Sequence, residues 1–461
     1  IPSGSTVEDW PLTYDELEPF YDIVEREIGV SGRAGNLNGK LTGKGSPFEG
    51  PRKNEYPMPP LRDTGFTDLM MKAGRDLGWS PFRGPAAINS VNYQGRSPCG
   101  YHGYCDRGGC HLNAKNSTAV TTIPAAQKTG NLKIFDNAHV TRIASDASGR
   151  VTGVVGLSPQ GHVNFKAKSV VLACGSFEAN PQMRAQYLGV GWDMVRVRGV
   201  PFNTGDGLRM AMNIGAMPHG SWSTCHASPQ DINLAPYKIP IAYSTKASKA
   251  RYMYPYSVMV NINGERFIDE AYDLRGRTYA AMGRAILTQP GGIAFQILDA
   301  KARKLDLYPM NYDDATTEKA DTLEELAAAL DINAANLVRT VREFNAAIQP
   351  GTFNPDRHKL DGKHTAGLAI NKSNYSMSIE EGPFEGFPVR CGMTFCYGGL
   401  KIDPKNGQVQ HVAGRPIPGL YAAGEMAGGL WVGNYASGSG MMAGCTFGKI
   451  AGTHAAKMAL Q

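Results

Sequence analysis

No Gly-x-Gly-x-x-Gly occurs anywhere in the 461 residues, so the phosphate-cradling turn of a dinucleotide-binding βαβ unit is missing from this chain. Nor is any apolar run long enough to cross a bilayer, which excludes transmembrane-helix classes. Charge is modest: 19% of residues are charged, and the net +6 is spread rather than gathered into arms. Nucleic-acid binding is therefore not indicated, whereas a mild positive field favours acidic small molecules. The eight cysteines are scattered and give no secreted disulfide pattern. Internal repeats and low-complexity tracts are absent. The first residue is Ile, so the natural start is expected upstream; a cytoplasmic location is expected, with an upstream signal peptide left open.

What is present suits a large globular chain. Hydrophobic residues make up 42%, and 461 residues can bury two or three domains. The 55 glycines are many and suit nucleotide-binding loops. The most organised stretch is Tyr397–His454. A Gly398-Gly399 pair precedes a short strand (Leu400–Asp403), and Pro404–Gly407 turns it back. An apolar strand (Gly419–Ala423) then runs into Gly424-Glu425, and a Gly/Ser-rich loop opens a helix near Gly438. Gly440, Gly444, Gly448 and Gly452 fall on one face of that helix. Each costs the helix about 1 kcal/mol relative to Ala. Such a stripe implies either a flat ring system or a close strand against it. Ser437-Gly438-Ser439-Gly440 leaves free N–H groups at the helix's positive end.

Together these five pieces, in order, resemble the C-terminal flavin-binding segment of the fumarate reductase/succinate dehydrogenase flavoproteins. The resemblance extends over residues 176–461, nearest to tricarballylate dehydrogenase-like members. It implies FAD as cofactor and Glu425 as the acid that binds a ribityl or ribose hydroxyl. It also implies cofactor contacts at Gly175, Gly398, Gly399, Gly424, Ser437, Gly438, Ser439 and Gly440, with the helix start aimed at the flavin pyrimidine. Asp206, between two glycines in Asn203–Ala216, either caps its helix or touches the cofactor; capping is the expectation.

Substrate chemistry is implied further along. Dehydrogenating a C–C bond needs a hydride acceptor and a proton carrier, and in this family an arginine after an NGxRFxxE hairpin carries the proton. Here the hairpin is Asn263–Glu270 and Arg275 follows at the matching place, with Asp269, Glu270 and Asp273 as relay partners. An arginine is a poor acid or base by itself, so a relay is required. His226 matches a family histidine that holds a substrate carboxylate. Phe395, Cys396 and Asn434-Tyr435 stand where fumarate reductases place two further clamps. That argues against fumarate itself, leaves a tricarboxylate or bulkier enone open, and offers the Tyr435 hydroxyl instead.

Residues 8–172 are similar instead to GMC oxidoreductases of the gluconate dehydrogenase type, through DWPLTYDELEPFYD and the Cys-rich run into Asn113–Thr118. Cys99, Cys105 and Cys110 are spaced as iron–sulfur ligands can be, yet three thiolates fall short of the usual four. Reduced thiols or one disulfide are the alternative, and no other metal site is expected. A β-meander follows from His139, with turns at 147–149 and 159–161, and feeds Ser169–Gly175, an apolar strand expected to be buried on both faces.

The expected fold is α/β: a Rossmann-like FAD-binding domain without its N-terminal βαβ unit, a β-meander, and an inserted α+β cap. The expected divisions are 1–114 (arm and Cys-rich loop), 115–217 (flavin domain, first part), 218–385 (cap) and 386–461 (flavin domain, second part). The expected activity is FAD-dependent dehydrogenation or reduction of a C–C bond in a small carboxylate. A GMC-type alcohol or sugar dehydrogenase and a flavin-free remnant are the rivals. The partners expected are a small-molecule substrate and an electron acceptor of unknown type.

Overall fold

A computed structural model describes residues 9–102, 109–237, 249–356, 358–436 and 438–461. Helix starts follow their caps. Thr13 accepts from Glu16 N–H and Glu16 answers to the Thr13 backbone, opening the helix Tyr14–Ile28. Thr64 opens Gly65–Asp76, and Asn333 opens Ala334–Ala347. Thr322 opens Leu323–Leu330, its hydroxyl accepting from Glu325 N–H while the Glu325 carboxylate accepts from Thr322 N–H.

Two sheets position the site. The larger is built on one long strand, Phe384–Leu400. It pairs antiparallel with Pro218–Asp231, Ile293–Leu298 and Glu318–Ala320, and in parallel with Arg196–Val197. Its first half packs into a cluster with Phe295, Leu337 and Phe344; its second half packs with Leu208, Leu420 and Phe447. The long strand thus runs across position 385/386 and ties both cores together. The pairing with Pro218–Asp231 is broken on either side of Cys396 by a bulge, and Phe395 there takes φ +63°. A bulky residue in the left-handed region is a genuine outlier, held by its surroundings.

The smaller sheet has three strands in the order Gln408–Gln410, Pro416–Ala422, Val170–Leu172. Val170–Leu172 lies parallel to Pro416–Ala422 in register Leu172↔Ala422. It was expected to be buried on both faces, and it is not: Val171 is 39% exposed. The reason is its place at the sheet edge, with no neighbour beyond it among the described residues. The meander His139–Ser145, Val151–Ser158, Gly161–Lys166 forms as its turns predict. Asp146 Oδ1 accepts from Ser148 and Arg150 N–H at the first turn. The Asn263-Gly264 turn also forms, but its second arm shrinks to one bridge, Val260↔Arg266. Arg266 turns inward there to pair with buried Glu270 at 2.7 Å.

Candidate active site

Val170–Leu172 and Pro416–Ala422 end side by side, with Ala423 N–H donating to Leu172 O at 3.0 Å. Each is followed by a left-handed glycine, Gly175 (φ +73°) and Gly424 (φ +68°). The crevice beyond the carboxyl ends of parallel strands is where α/β proteins seat nucleotides. Three buried polar side-chain atoms without a hydrogen-bond partner lie on the segments that follow these two strands: Glu425 Oε1, Glu178 Oε2 and the Ser176 hydroxyl. Burial and the neighbouring Glu178 carboxyl push the Glu425 carboxyl well above the ordinary carboxylate range. Unused oxygens of this kind fit a ligand rich in hydroxyls, as a ribityl chain or ribose is.

Several expected cofactor residues have protein neighbours instead. Gly398 lies under the Trp222 ring, and Gly399 lies against Gly428 N and Met426 O, so neither has room for a Cβ. Gly399 serves the close backbone approach of the long strand to the loop after Glu425, and Gly398 makes room for Trp222 on the paired strand. Asp206 is not the cap, contrary to expectation. Gly205 caps the helix Asp206–Asn213 without a side chain, and Asp206 instead bonds Thr204 at 2.5 Å and Arg209 at 2.7 Å. Cys105 and Ser437 lie outside the described residues. Cys99 and Cys110 are free thiols, and no metal-holding cluster occurs among the described residues.

The terminal helix runs Ser439–Leu460 with Gly438 as its left-handed cap. Its glycine stripe is not a bare seat for a ring. A Cβ on Gly440 would lie 2.8 Å from the Phe395 ring and 2.9 Å from the Tyr435 hydroxyl; Gly444 backs onto Gly424 at 3.8 Å; Gly448 and Gly452 meet open space. The Gly440 N–H is also taken, by Tyr435 Oη at 3.0 Å. The open volume adjoins the neighbouring face. A cavity of about 1040 Å³ lies over Ser439, Met442, Thr446 and Phe447, walled by Trp10 and Trp431. That volume suits a cofactor-sized or drug-sized molecule. The Trp10 indole N–H donates to Gly429 O at 2.9 Å and its ring lies 5.2 Å from Phe447, so the N-terminal arm closes one side.

His226 and Tyr435 are brought together, ring centroids 5.4 Å apart and edge to face. The pairing of Pro218–Asp231 with the long strand sets His226 opposite Thr394. Arg198 Nη1 lies 3.4 Å from His226 Nδ1. Burial and that guanidinium push the imidazole pKa down to about 3, so the ring is neutral and its Nδ1 accepts. Arg275 is elsewhere. It stacks over Tyr252 at 5.5 Å and lines a small pocket with Tyr256 and Tyr375. Tyr252 and Tyr279 stand between it and His226. Its expected relay partners are engaged: Glu270 by Arg266, Asp269 by Ser373, and Asp273 by Arg277 at 3.5 Å. The guanidinium on the large cavity is Arg277, 71% exposed at its side chain. Sequence reasoning missed Arg198, Arg277, Glu178 and Trp10. Arg277 carried a signal as the second member of Arg-Gly-Arg, and Trp10 as part of DWPLTYDELEPFYD.

Parallel strand ends, left-handed glycines and acid oxygens free for a sugar define a nucleotide-binding α/β flavoprotein. Residues 41–441 match the family described as FAD binding domain, and the chain belongs to that family. Its cofactor is FAD. A probable fumarate reductase from Shewanella frigidimarina is 31% identical over 344 residues, 74% of this chain and 53% of its own. A flavocytochrome c3 fumarate reductase structure, in its open conformation, is similar with a TM-score of 0.56 and 28% identity, covering 77% of this chain and 57% of that one. The gluconate 2-dehydrogenase flavoprotein of Pantoea cypripedii is 32% identical over 210 residues, 43% of this chain and 34% of its own. The chain thus spans about half or less of the curated relatives' length. The fumarate reductase-type resemblance holds. A GMC assignment is not supported, because one FAD-binding family runs through both regions.

Proposed function

We propose that the chain is part of an FAD-dependent oxidoreductase that dehydrogenates or reduces a C–C bond beside a carboxylate. The observation that carries this is the cluster of neutral His226, Arg198 and Tyr435 at the start of the terminal helix. A half-buried guanidinium beside a neutral imidazole suits a carboxylate: one supplies charge, the other a directed hydrogen bond. Tyr435 adds a hydroxyl, and Arg277 on the large cavity holds a second acidic group. Bound FAD would supply hydride transfer. Glu425, with Glu178 and Ser176 beside it, would hold the sugar hydroxyls. Arg275 serves the proton on the strength of the resemblance, with Tyr252 as the group it faces.

The substrate has an apolar body. Phe395 packs edge-on against Trp431 at 4.7 Å and beside Tyr435 at 5.4 Å, so an aromatic wall stands where fumarate reductases place a polar clamp. A carboxylate with a larger apolar or cyclic frame fits this wall better than fumarate. The domain division at 218 and 385 follows the same reading, with the cap closing over the bound acid.

The test is spectroscopic. Protein loaded with FAD and reduced anaerobically should be reoxidised by unsaturated or cyclic enoic carboxylates. Turnover of gluconate alone, with no response to any carboxylate, would overturn the reading in favour of an alcohol dehydrogenase.

A further inference from the structure

Three guanidiniums gather on one face of the larger sheet. Arg196 lies opposite Gly392 in the parallel pairing of Arg196–Val197 with the long strand. Arg390 comes two residues before Gly392, and residues two apart on a strand point to the same face. Arg198 follows Arg196 by two, and a Cβ on Gly392 would lie 3.1 Å from its Cγ. Gly392 is thus the floor between the three side chains. On the other flank Gln230 stands opposite Arg390 and Ser228 opposite Gly392. The Gln230 amide donates to Ser228 Oγ at 2.9 Å, so that flank is neutral. Among the described residues, no acid forms an ion pair with any of the three arginines. Arg198 turns toward His226, and Arg390 Nη1 makes one long contact, 3.5 Å to the Ile232 carbonyl. Arg196 Nε–H is buried with no hydrogen-bond partner.

We propose that Arg196 and Arg390 form a binding site for a phosphate dianion, either free phosphate or the terminal phosphate of an ester. All three arginines are half-buried, so water screens their repulsion less than at an open surface. Like charges held together without a counter-charge cost stability, and an anion between them removes that cost. One guanidinium fork matches the two oxygens of a carboxylate, which is what Arg198 beside His226 offers. Two forks flanking one glycine match a tetrahedral group with more oxygens and a second negative charge. The site stands apart from the aromatic wall. His226 faces Thr394, and Phe395 follows it, whereas Arg390 lies four residues earlier, about 13 Å along an extended strand. The site needs no flavin and does not rest on the oxidoreductase reading.

The test uses the whole chain, free of cofactor, at fixed ionic strength. Titration calorimetry should detect binding of inorganic phosphate and of glycerol phosphate, while acetate should give no signal. Arg196→Gln and Arg390→Gln should each weaken phosphate binding about tenfold. Arg390→Lys keeps the charge and loses the fork, so it should fold and still bind phosphate more weakly than the wild type. Phosphorus NMR needs no variant: the phosphate line should broaden on adding wild-type protein, and succinate in equal amount should not sharpen it again. Tighter binding of the ester than of free phosphate would support the site and make its ligand an ester; the reverse order would support it for free phosphate. No binding by the wild type, a dicarboxylate that competes as an equal, or phosphate affinity unchanged in both glutamine variants would overturn the proposal. A wild type that binds phosphate but turns over no carboxylate would sink the function proposed above and leave this site standing.

Discussion

Arg198 and His226 face each other at 3.4 Å, guanidinium Nη1 to imidazole Nδ1, in a place too dry for both to be charged. The imidazole pKa is pushed down to about 3 from an ordinary 6.5. The unfolded chain therefore binds a proton that the folded chain refuses. Stability from this residue is complete above about pH 6.5 and is lost as pH falls toward 3, on the order of 4 kcal/mol across the whole window. His226→Gln should remove that part of the acid sensitivity. Urea midpoints of both proteins at neutral and mildly acidic pH would check it, and equal losses on acidification would refute it.

The four glycines of the terminal helix should respond in opposite directions. Gly440→Ala drives a methyl into the Phe395 ring and the Tyr435 hydroxyl and should cost about 1–3 kcal/mol. Gly448→Ala and Gly452→Ala meet nothing and should each gain up to about 1 kcal/mol. Thermal melts of the three variants decide the matter.

Arg277 is largely exposed, so Arg277→Ala should leave stability within about 0.5 kcal/mol of wild type. If it holds an acidic group of the substrate, KM should rise about tenfold with flavin content unchanged. Steady-state kinetics on a carboxylate substrate and on its ester would separate charge recognition from general damage.

Arg275→Lys should abolish turnover and leave bound flavin in place, because a lysine shortens the reach and changes the geometry of any relay through Tyr252. Full activity in this variant would remove Arg275 from the mechanism and leave Arg277 as the cationic group at the cavity.

Trp10→Phe keeps the ring against Phe447 but deletes the bond to Gly429 O. It should cost about 1 kcal/mol and make the arm 9–13 cleavable by protease sooner than in the wild type.

Local chemistry made much of this legible in advance. The turn at 147–149 and the hairpin Asn263–Glu270 were readable from their residue types, and the run from Gly398 to Glu425 signalled the nucleotide end. What stayed hidden depends on distant neighbours. Periodicity placed Gly440 and Gly444 on one face, yet it carries no information on what covers that face, and the cover came from Phe395 and Gly424. Arg198 sits in no motif; it matters because the fold sets it beside His226. Val171 reads as interior, since an apolar strand looks the same with or without a neighbour on its outer edge.

The unusual backbone at Phe395 has a topological price. The irregularity is shared by both strands: Phe395 is left over on one and Trp222 to Thr224 on the other, so Cys396 stands opposite Cys225 and Tyr397 opposite Ser221. Splicing out Phe395 alone would leave the partner's surplus unmatched and would take away the ring against which Gly440 packs.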